Sequence, residues 1–511
     1  MPQRASQGAT PAEEMGASSP PVAAAGDPAA PSSLLVNSSS LLAARGWSIL
    51  VTGLLAVYAI RTLPTHEYGR YAVALALVTT FTLFSEMGIG SLALREMSQH
   101  PGRQARILGT ALSAECLTSL AAVALLVPVA LLLDYPAAVL VLVAIGAGTI
   151  AFQSLISPLE AIFRARRVYE AAYITVLQST VTALVGGVLV AIGAGAPALM
   201  VALLSGAVVA VPFALVLVRR RLRVRPSFAG AAGTVLPFLT LAAPIALTGL
   251  IWVVYERLDV LMLSKLSDLT DVAFYNVPLT IVQYSLLVPA VIGTTLFPIL
   301  TTALRDDPAT GRDTFVLMIR LFLILGGTGT MMLLIGGGDL VTLVFGARYA
   351  ASAMPMAILS GAVALGFCNL LCWYTLLAGH RERVMVAMML GALGVKLLLG
   401  LALIPRFGPA GAAAAVVISE AGLVACELAL IHRRLFRVPI GRILVRPLLA
   451  GALAAGVAAL ITPVSALLAA AVAGSLYAGL LLAVRYVSGP EWQPLTGPLR
   501  RGATRLLPGR G

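Results

Sequence analysis

Apolar runs of roughly 20 residues, each long enough to span a bilayer's hydrocarbon core, recur from Leu41 to Val487. That core offers no water to backbone N–H and C=O groups, so a chain crossing it must satisfy them internally. Helices do so within one segment. Barrels do so between strands and show alternating segments of about ten residues, a pattern absent from this sequence. An all-α polytopic membrane protein is therefore predicted. Composition agrees: 59% of residues are hydrophobic and 11% charged, against about 25% charged in a soluble domain.

Fourteen membrane helices are predicted between 38 and 486. Residues 1–33 are rich in Ala, Pro, Gly and Ser and lack the basic start and apolar core of a cleaved signal, which reads as a disordered cytoplasmic tail. A first six-helix lobe is expected over 34–218 and a basic cytoplasmic linker over 219–236. A second six-helix lobe follows over 237–437, two further helices over 438–486 and a cytoplasmic tail over 487–511.

Charge orients this layout. The net charge of +13 is not gathered into a nucleic-acid-binding patch; the basic residues are spread between spans. On one side stand Arg95, Arg103 and Arg106, then Arg164, Arg166 and Arg167, then the run Arg219, Arg220, Arg221, Arg223 and Arg225. With later loops and both tails, that side holds 25 of the 35 Lys and Arg. The other side has Arg61, Arg70, Lys265, Arg348 and Arg406. By the positive-inside rule both termini are expected in the cytoplasm.

The chain also repeats itself. Glu67-Tyr68-Gly69-Arg70-Tyr71-Ala72-Val73-Ala74-Leu75 resembles Asp271-Val272-Ala273-Phe274-Tyr275-Asn276-Val277-Pro278-Leu279, with Arg61 and Lys265 at the same upstream offset. Two like-oriented lobes with a binding site between them are the expected consequence.

Several charges lie inside the apolar runs, where each costs roughly 2.5–3.5 kcal/mol near the bilayer centre. The heaviest load is in Ala243–Leu263, which carries Glu256, Arg257 and Asp259 within one turn. Arg45, Glu86, Lys396 and Glu420 are also deep, and Arg320 sits near an inner helix end. The four cysteines, Cys116, Cys368, Cys372 and Cys426, fall in apolar spans with no histidine or carboxylate grouped around them, so neither metal nor cofactor is expected. No phosphate-binding glycine loop is present.

Four stretches carry a family resemblance: LPTHEYGRYAVALALVTTFTLFSEMGIGSLALRE (63–96), YERLDVLMLSKLSDLTDVAFYNVPLTIV (255–282), LVFGARYAASAMPMAIL (343–359) and IPRFGPAGAAAAVVIS (404–419). In order and spacing the chain resembles the polysaccharide-transporter branch of the multidrug/oligosaccharidyl-lipid/polysaccharide (MOP) flippases. These are the Wzx-type O-antigen and capsule flippases, related to the lipid II flippase. Glu86 stands where the family often has Asp, and the last two helices are extra to a twelve-helix plan.

The resemblance implies a non-enzymatic flippase in the bacterial cytoplasmic membrane. Its cargo would be an undecaprenyl-pyrophosphate-type lipid-linked oligosaccharide, and a polysaccharide polymerase and chain-length regulator would be its partners. A pyrophosphate crossing the membrane calls for fixed cations, and guanidiniums bind phosphate oxygens in a bidentate manner. Arg45, Glu86, Arg257, Arg320 and Lys396 are accordingly the candidate substrate contacts. Glu256, Asp259 and Glu420 are candidates for ion coupling or for structure.

Arg45 and Glu86 share a depth, each roughly 24 Å from its outer helix end; they are expected to pair, in the cavity or as a tie between helices one and two. Glu256 and Asp259, three apart, share a helix face, and Arg257 projects the other way. Lys396 and Glu420 are expected to form a structural pair. Two other functions compete with the flippase. A multidrug efflux antiporter of the same superfamily would favour a carboxylate-lined cavity. A membrane glycan polymerase or ligase would need a larger outer catalytic loop than 338–352, which offers only Asp339 and Arg348.

Overall fold

The computed structural model describes residues 31–487, apart from residue 167. The expected tails fall outside these, save 31–33 and 487. The first half of the chain forms α1 (Pro31–Thr62), α2 (Thr65–Glu86), α3 (Ile89–Gln99), α4 (Gln104–Leu132), α5 (Ala137–Ala165), α6 (Ala171–Ala191), α7 (Ala196–Arg221) and α8 (Ala231–Leu266). The second half forms α9 (Leu269–Ser285), α10 (Leu287–Asp306), α11 (Pro308–Phe345), α12 (Ala353–Leu359), α13 (Gly361–Ala378), α14 (Glu382–Arg434), α15 (Ile440–Ile461) and α16 (Ala466–Ala483).

Twelve helical stretches among the described residues are long and apolar enough to cross a membrane. One of them, α14, has 53 residues, roughly 80 Å of helix and enough for two crossings. It bends at Gly408 (φ 54°, ψ −127°), with Pro405 and Pro409 on either side. The 36-residue α8 is not among the twelve but has the length to cross. With α8 and the second half of α14, the described helices reach the fourteen crossings predicted.

Three predicted single helices, the second (71–94), the eighth (273–303) and the tenth (353–378), are broken, the tenth into α12 and α13 at Ser360. The second divides into α2 and α3 at Met87 and Gly88, which take left-handed φ values of 39° and 68°. The eighth divides into α9 and α10 at Leu286, three residues before Pro289, which has no N–H to continue the ladder.

In the first lobe α5 packs on α2, α4 and α7, and α6 on α1 and α7. In the second, α14 packs on α8 and α13, and α11 on α10 and α13. The final pair, α15 and α16, lies on α11; Gly327 leaves room there for the Tyr477 ring, whose hydroxyl donates to the Leu323 carbonyl at 3.0 Å. The lobes meet where α2 crosses α8 and α9.

The repeat is visible in this arrangement. Glu67, in the first turn of α2, accepts from the backbone N–H of Ala196 at 3.0 Å, where an anion favours a helix start. Gly195, just before α7, has φ +68°. Asp271, in the first turn of α9, lies against Gly408, which has positive φ and opens the last crossing of the second lobe. Each lobe thus ties its second crossing to its last by an acid placed against a glycine.

The end of the bundle carrying Arg61 and Arg348 is closed across the lobes. Arg61 donates from Nε to the Val344 carbonyl at 2.5 Å and from its terminal nitrogen to that of Leu343. Arg348 answers with bonds to the carbonyls of Leu63 and Arg61 at 3.0 and 2.8 Å. Each guanidinium therefore caps the carbonyls that the opposite helix end leaves open. Beside this clasp, Asn276 donates to the Tyr68 hydroxyl at 3.1 Å. Gly69 lies so close to Leu269 that any side chain on it would strike the Leu269 carbonyl.

Candidate functional site

Each lobe holds a cavity beside a broken helix, with charged side chains in its wall. The first, about 360 Å³, is lined by Glu86, Gly90 and Ser91 at the α2–α3 break, by Gln153, Glu160 and Arg164 of α5, and by Thr175 and Gln178 of α6. Arg164 pairs with Glu160 at 2.5 Å, and Gln178 donates to Gln153 at 2.6 Å.

The expected Arg45–Glu86 pair does not form. Helix α1 lies mainly against α6, and α2 against α5, α8 and α9; helices adjacent in sequence and equal in depth are not thereby neighbours across their faces. The carboxylate that feels the Arg45 charge is Glu160. Arg45 is exposed and has no ion pair or side-chain hydrogen bond among the described residues.

The charge of Glu86, in the wall of this cavity, is felt by a residue the sequence reading passed over. Glu115 of α4 is 0% exposed, and neither carboxylate oxygen has a hydrogen-bond partner among the described residues. Its signal was a lone carboxylate in an otherwise apolar helix.

The second cavity, about 500 Å³, lies between α8, the α9–α10 break, α13 and α14. Its wall includes Trp252, Glu256, Asp259, Gln283, Asn369, Trp373, Tyr374, Lys396 and Glu420. Glu256 and Asp259 do share one face of α8, as their spacing required, while Arg257 is not in that wall. Arg257 is half-buried, and its charge is felt by Glu256 and by Tyr71 of the first lobe, which places it where the lobes meet. It too has no ion pair or side-chain hydrogen bond among the described residues.

The expected Lys396–Glu420 pair is replaced by two separate sets of bonds. Lys396 and Asp259, each 4% exposed, pair at 3.3 Å, and Lys396 also donates to the Tyr255 carbonyl at 2.6 Å. Tyr275 donates to the other Asp259 oxygen. Glu420 accepts from the Tyr255 hydroxyl at 2.9 Å and from Asn369 at 2.6 Å. Lys396 follows α8 because α14 packs along that helix, bringing residues 137 positions apart into contact.

A buried pair broken at one end leaves an uncompensated charge, at about 3–5 kcal/mol. Lys396→Met and Asp259→Asn are each expected to lower the thermal midpoint of the detergent-purified protein sharply, with the double variant recovering most of the loss. Equal melting of all four proteins would remove this pair from the account. Arg320 lies in neither cavity wall; its guanidinium sits 5.5 Å from the centre of the Tyr486 ring, beyond the end of α16.

Comparison with known proteins fits this architecture. A family model described as "polysaccharide biosynthesis protein" matches residues 34–304, more than half of the chain. No curated protein matches. Among solved structures, the lipid II flippase MurJ in an inward closed conformation superposes with a TM-score of 0.69 at 12% identity, covering 88% of this chain and 99% of MurJ. A multidrug resistance MATE family transporter of the MOP superfamily, inward-facing, gives 0.60 at 12% identity over 76% of this chain and 94% of its own. The Vibrio cholerae MATE transporter VcmN in its bent form gives 0.52 at 11% identity over 79% and 98%. At such identities the likeness speaks for the fold, and the family match speaks for descent. The chain belongs to the polysaccharide biosynthesis protein family and has the fold of the MOP-superfamily transporters.

Proposed function

We propose that the protein is a flippase carrying a polyprenyl-pyrophosphate-linked oligosaccharide from the inner to the outer leaflet of the bacterial cytoplasmic membrane by alternating access. The observation that carries this reading is that Arg45 and Arg257, which span lengths in the sequence put deep in their helices, one in each lobe, have no carboxylate at ion-pair distance among the described residues. Cations kept unpaired at membrane depth suit an anion that arrives and leaves. The pyrophosphate would pass these arginines, the sugars would occupy the two cavities, and the polyprenyl tail would stay in lipid. The Arg61–Arg348 clasp is the outer gate in this reading, and the breaks at Gly88 and Leu286 are where the spans flex. The basic loops support a topology with both termini in the cytoplasm, and a polymerase and chain-length regulator would receive the product outside.

One observation favours a second reading. Three carboxylates, Glu256, Asp259 and Glu420, share the second cavity with a single ammonium, Lys396, as a carrier of organic cations would require. Proteoliposomes separate the two. A fluorescent undecaprenyl-pyrophosphate disaccharide is expected to reach the opposite leaflet faster than in empty vesicles, while an aromatic cation such as ethidium is not transported. The reverse result would assign the protein to cation efflux.

A further inference from the structure

We propose that the second-lobe cavity is a glycan subsite and that its charge selects neutral or amino-bearing sugars against acidic ones; this rests on the flippase reading. The wall combines flat apolar rings with hydrogen-bond acceptors. Trp252 and Trp373 lie 6.0 Å apart between ring centres at 58°, and Trp252 is 39% exposed. Tyr374 is held in place by Phe297, 5.2 Å away, and by Gly293, where any side chain would collide with the Tyr374 ring. Amphipathic rings give the C–H face of a sugar a large contact at little entropic cost.

The polar groups decide which sugar fits. Lys396 is committed to Asp259 and the Tyr255 carbonyl, so it neutralises one carboxylate and offers little to a ligand. That leaves Glu256 and Glu420. Glu420 is oriented by Tyr255 and Asn369, while Glu256 has no hydrogen bond among the described residues. Arg257, the strongest charge acting on Glu256, stands outside the cavity wall, toward the other lobe. Sugar hydroxyls and ammonium groups donate to such acceptors, and carboxylates can accept several bonds each. A uronic acid would set a third negative charge among them in a medium of low dielectric. This subsite is distinct from the arginines that meet the pyrophosphate, so one carrier would hold the two chemically opposite ends of its cargo in different places.

The test uses the full chain in phosphatidylcholine nanodiscs, with Trp47→Phe and Trp492→Phe so that emission comes from Trp252 and Trp373, half of the four tryptophans. The probes are diacetylchitobiose, chitobiose, digalacturonate and ethidium. Quenching by the first two is expected at concentrations at least about tenfold below that needed for digalacturonate, a free-energy gap of about 1.4 kcal/mol. Glu256→Gln, which removes charge without removing a bond, is expected to narrow that ratio severalfold, and Trp373→Ala and Trp373→Phe to weaken saccharide binding in graded fashion. Digalacturonate binding as tightly as chitobiose would overturn the proposal, as would quenching by ethidium alone. Proteoliposome translocation without sugar discrimination would sink the subsite and leave the flippase standing. Discrimination without translocation would do the opposite.

Discussion

Arg45→Ala and Arg257→Ala are each expected to abolish export of the glycan while leaving the amount of protein in the membrane unchanged. Losing one charged partner of a desolvated anion costs roughly 2–5 kcal/mol, or about 30-fold to several-thousand-fold in transport. Because neither guanidinium bonds to another side chain among the described residues, truncation should spare the fold. That separates these variants from Lys396→Met, where loss of stability comes first. Export is read as surface glycan in a deletion strain carrying each variant, with the lipid-linked precursor expected to accumulate on the inner face. Lysine at either position should restore part of the activity, since an ammonium keeps the charge and loses the two-pronged geometry. Normal export by both alanine variants would mean that the headgroup passes elsewhere.

The second large effect is at Gly69. Its position in α2 would set the first carbon of any side chain 1.8 Å from the Leu269 carbonyl oxygen, backbone against backbone, with no flexible group to yield. Gly69→Ala should therefore prevent closure of the end guarded by Arg61 and Arg348 and hold the carrier open to the outside. The expected signature is loss of transport together with outer-side labelling of a cysteine placed at Asn276, in a background where the four native cysteines are alanine. The same cysteine in the Gly69 protein should react slowly. Breaking only the clasp, with Arg61→Ala and Arg348→Ala, should give a milder shift in the same direction. If Gly69→Ala transports normally and Asn276→Cys stays protected, this contact is not the gate.

The sequence announced the fold through features that act locally. Apolar runs marked the spans, and the Glu67 and Asp271 repeat marked equivalent points in the lobes. The spacing of Glu256 and Asp259 correctly put both on one face, because helix geometry alone fixes it. Partner choice was not legible. Lys396 meets Asp259 rather than Glu420, and Arg45 is nearer in charge to Glu160 than to Glu86, because helix neighbours are set by long-range packing that no local pattern encodes. Glu115 escaped notice for a different reason: one carboxylate in an apolar helix looks minor until the packed structure shows that no described residue bonds to it.

The most direct test replaces Arg45 and Arg257 singly with cysteine and asks whether water-soluble, membrane-impermeant thiol reagents reach them. Labelling from the cytoplasmic face, slowed by an undecaprenyl-pyrophosphate glycan, is the expected result. Two positions inert from both faces, with or without that lipid, would show dry contacts in place of a passage.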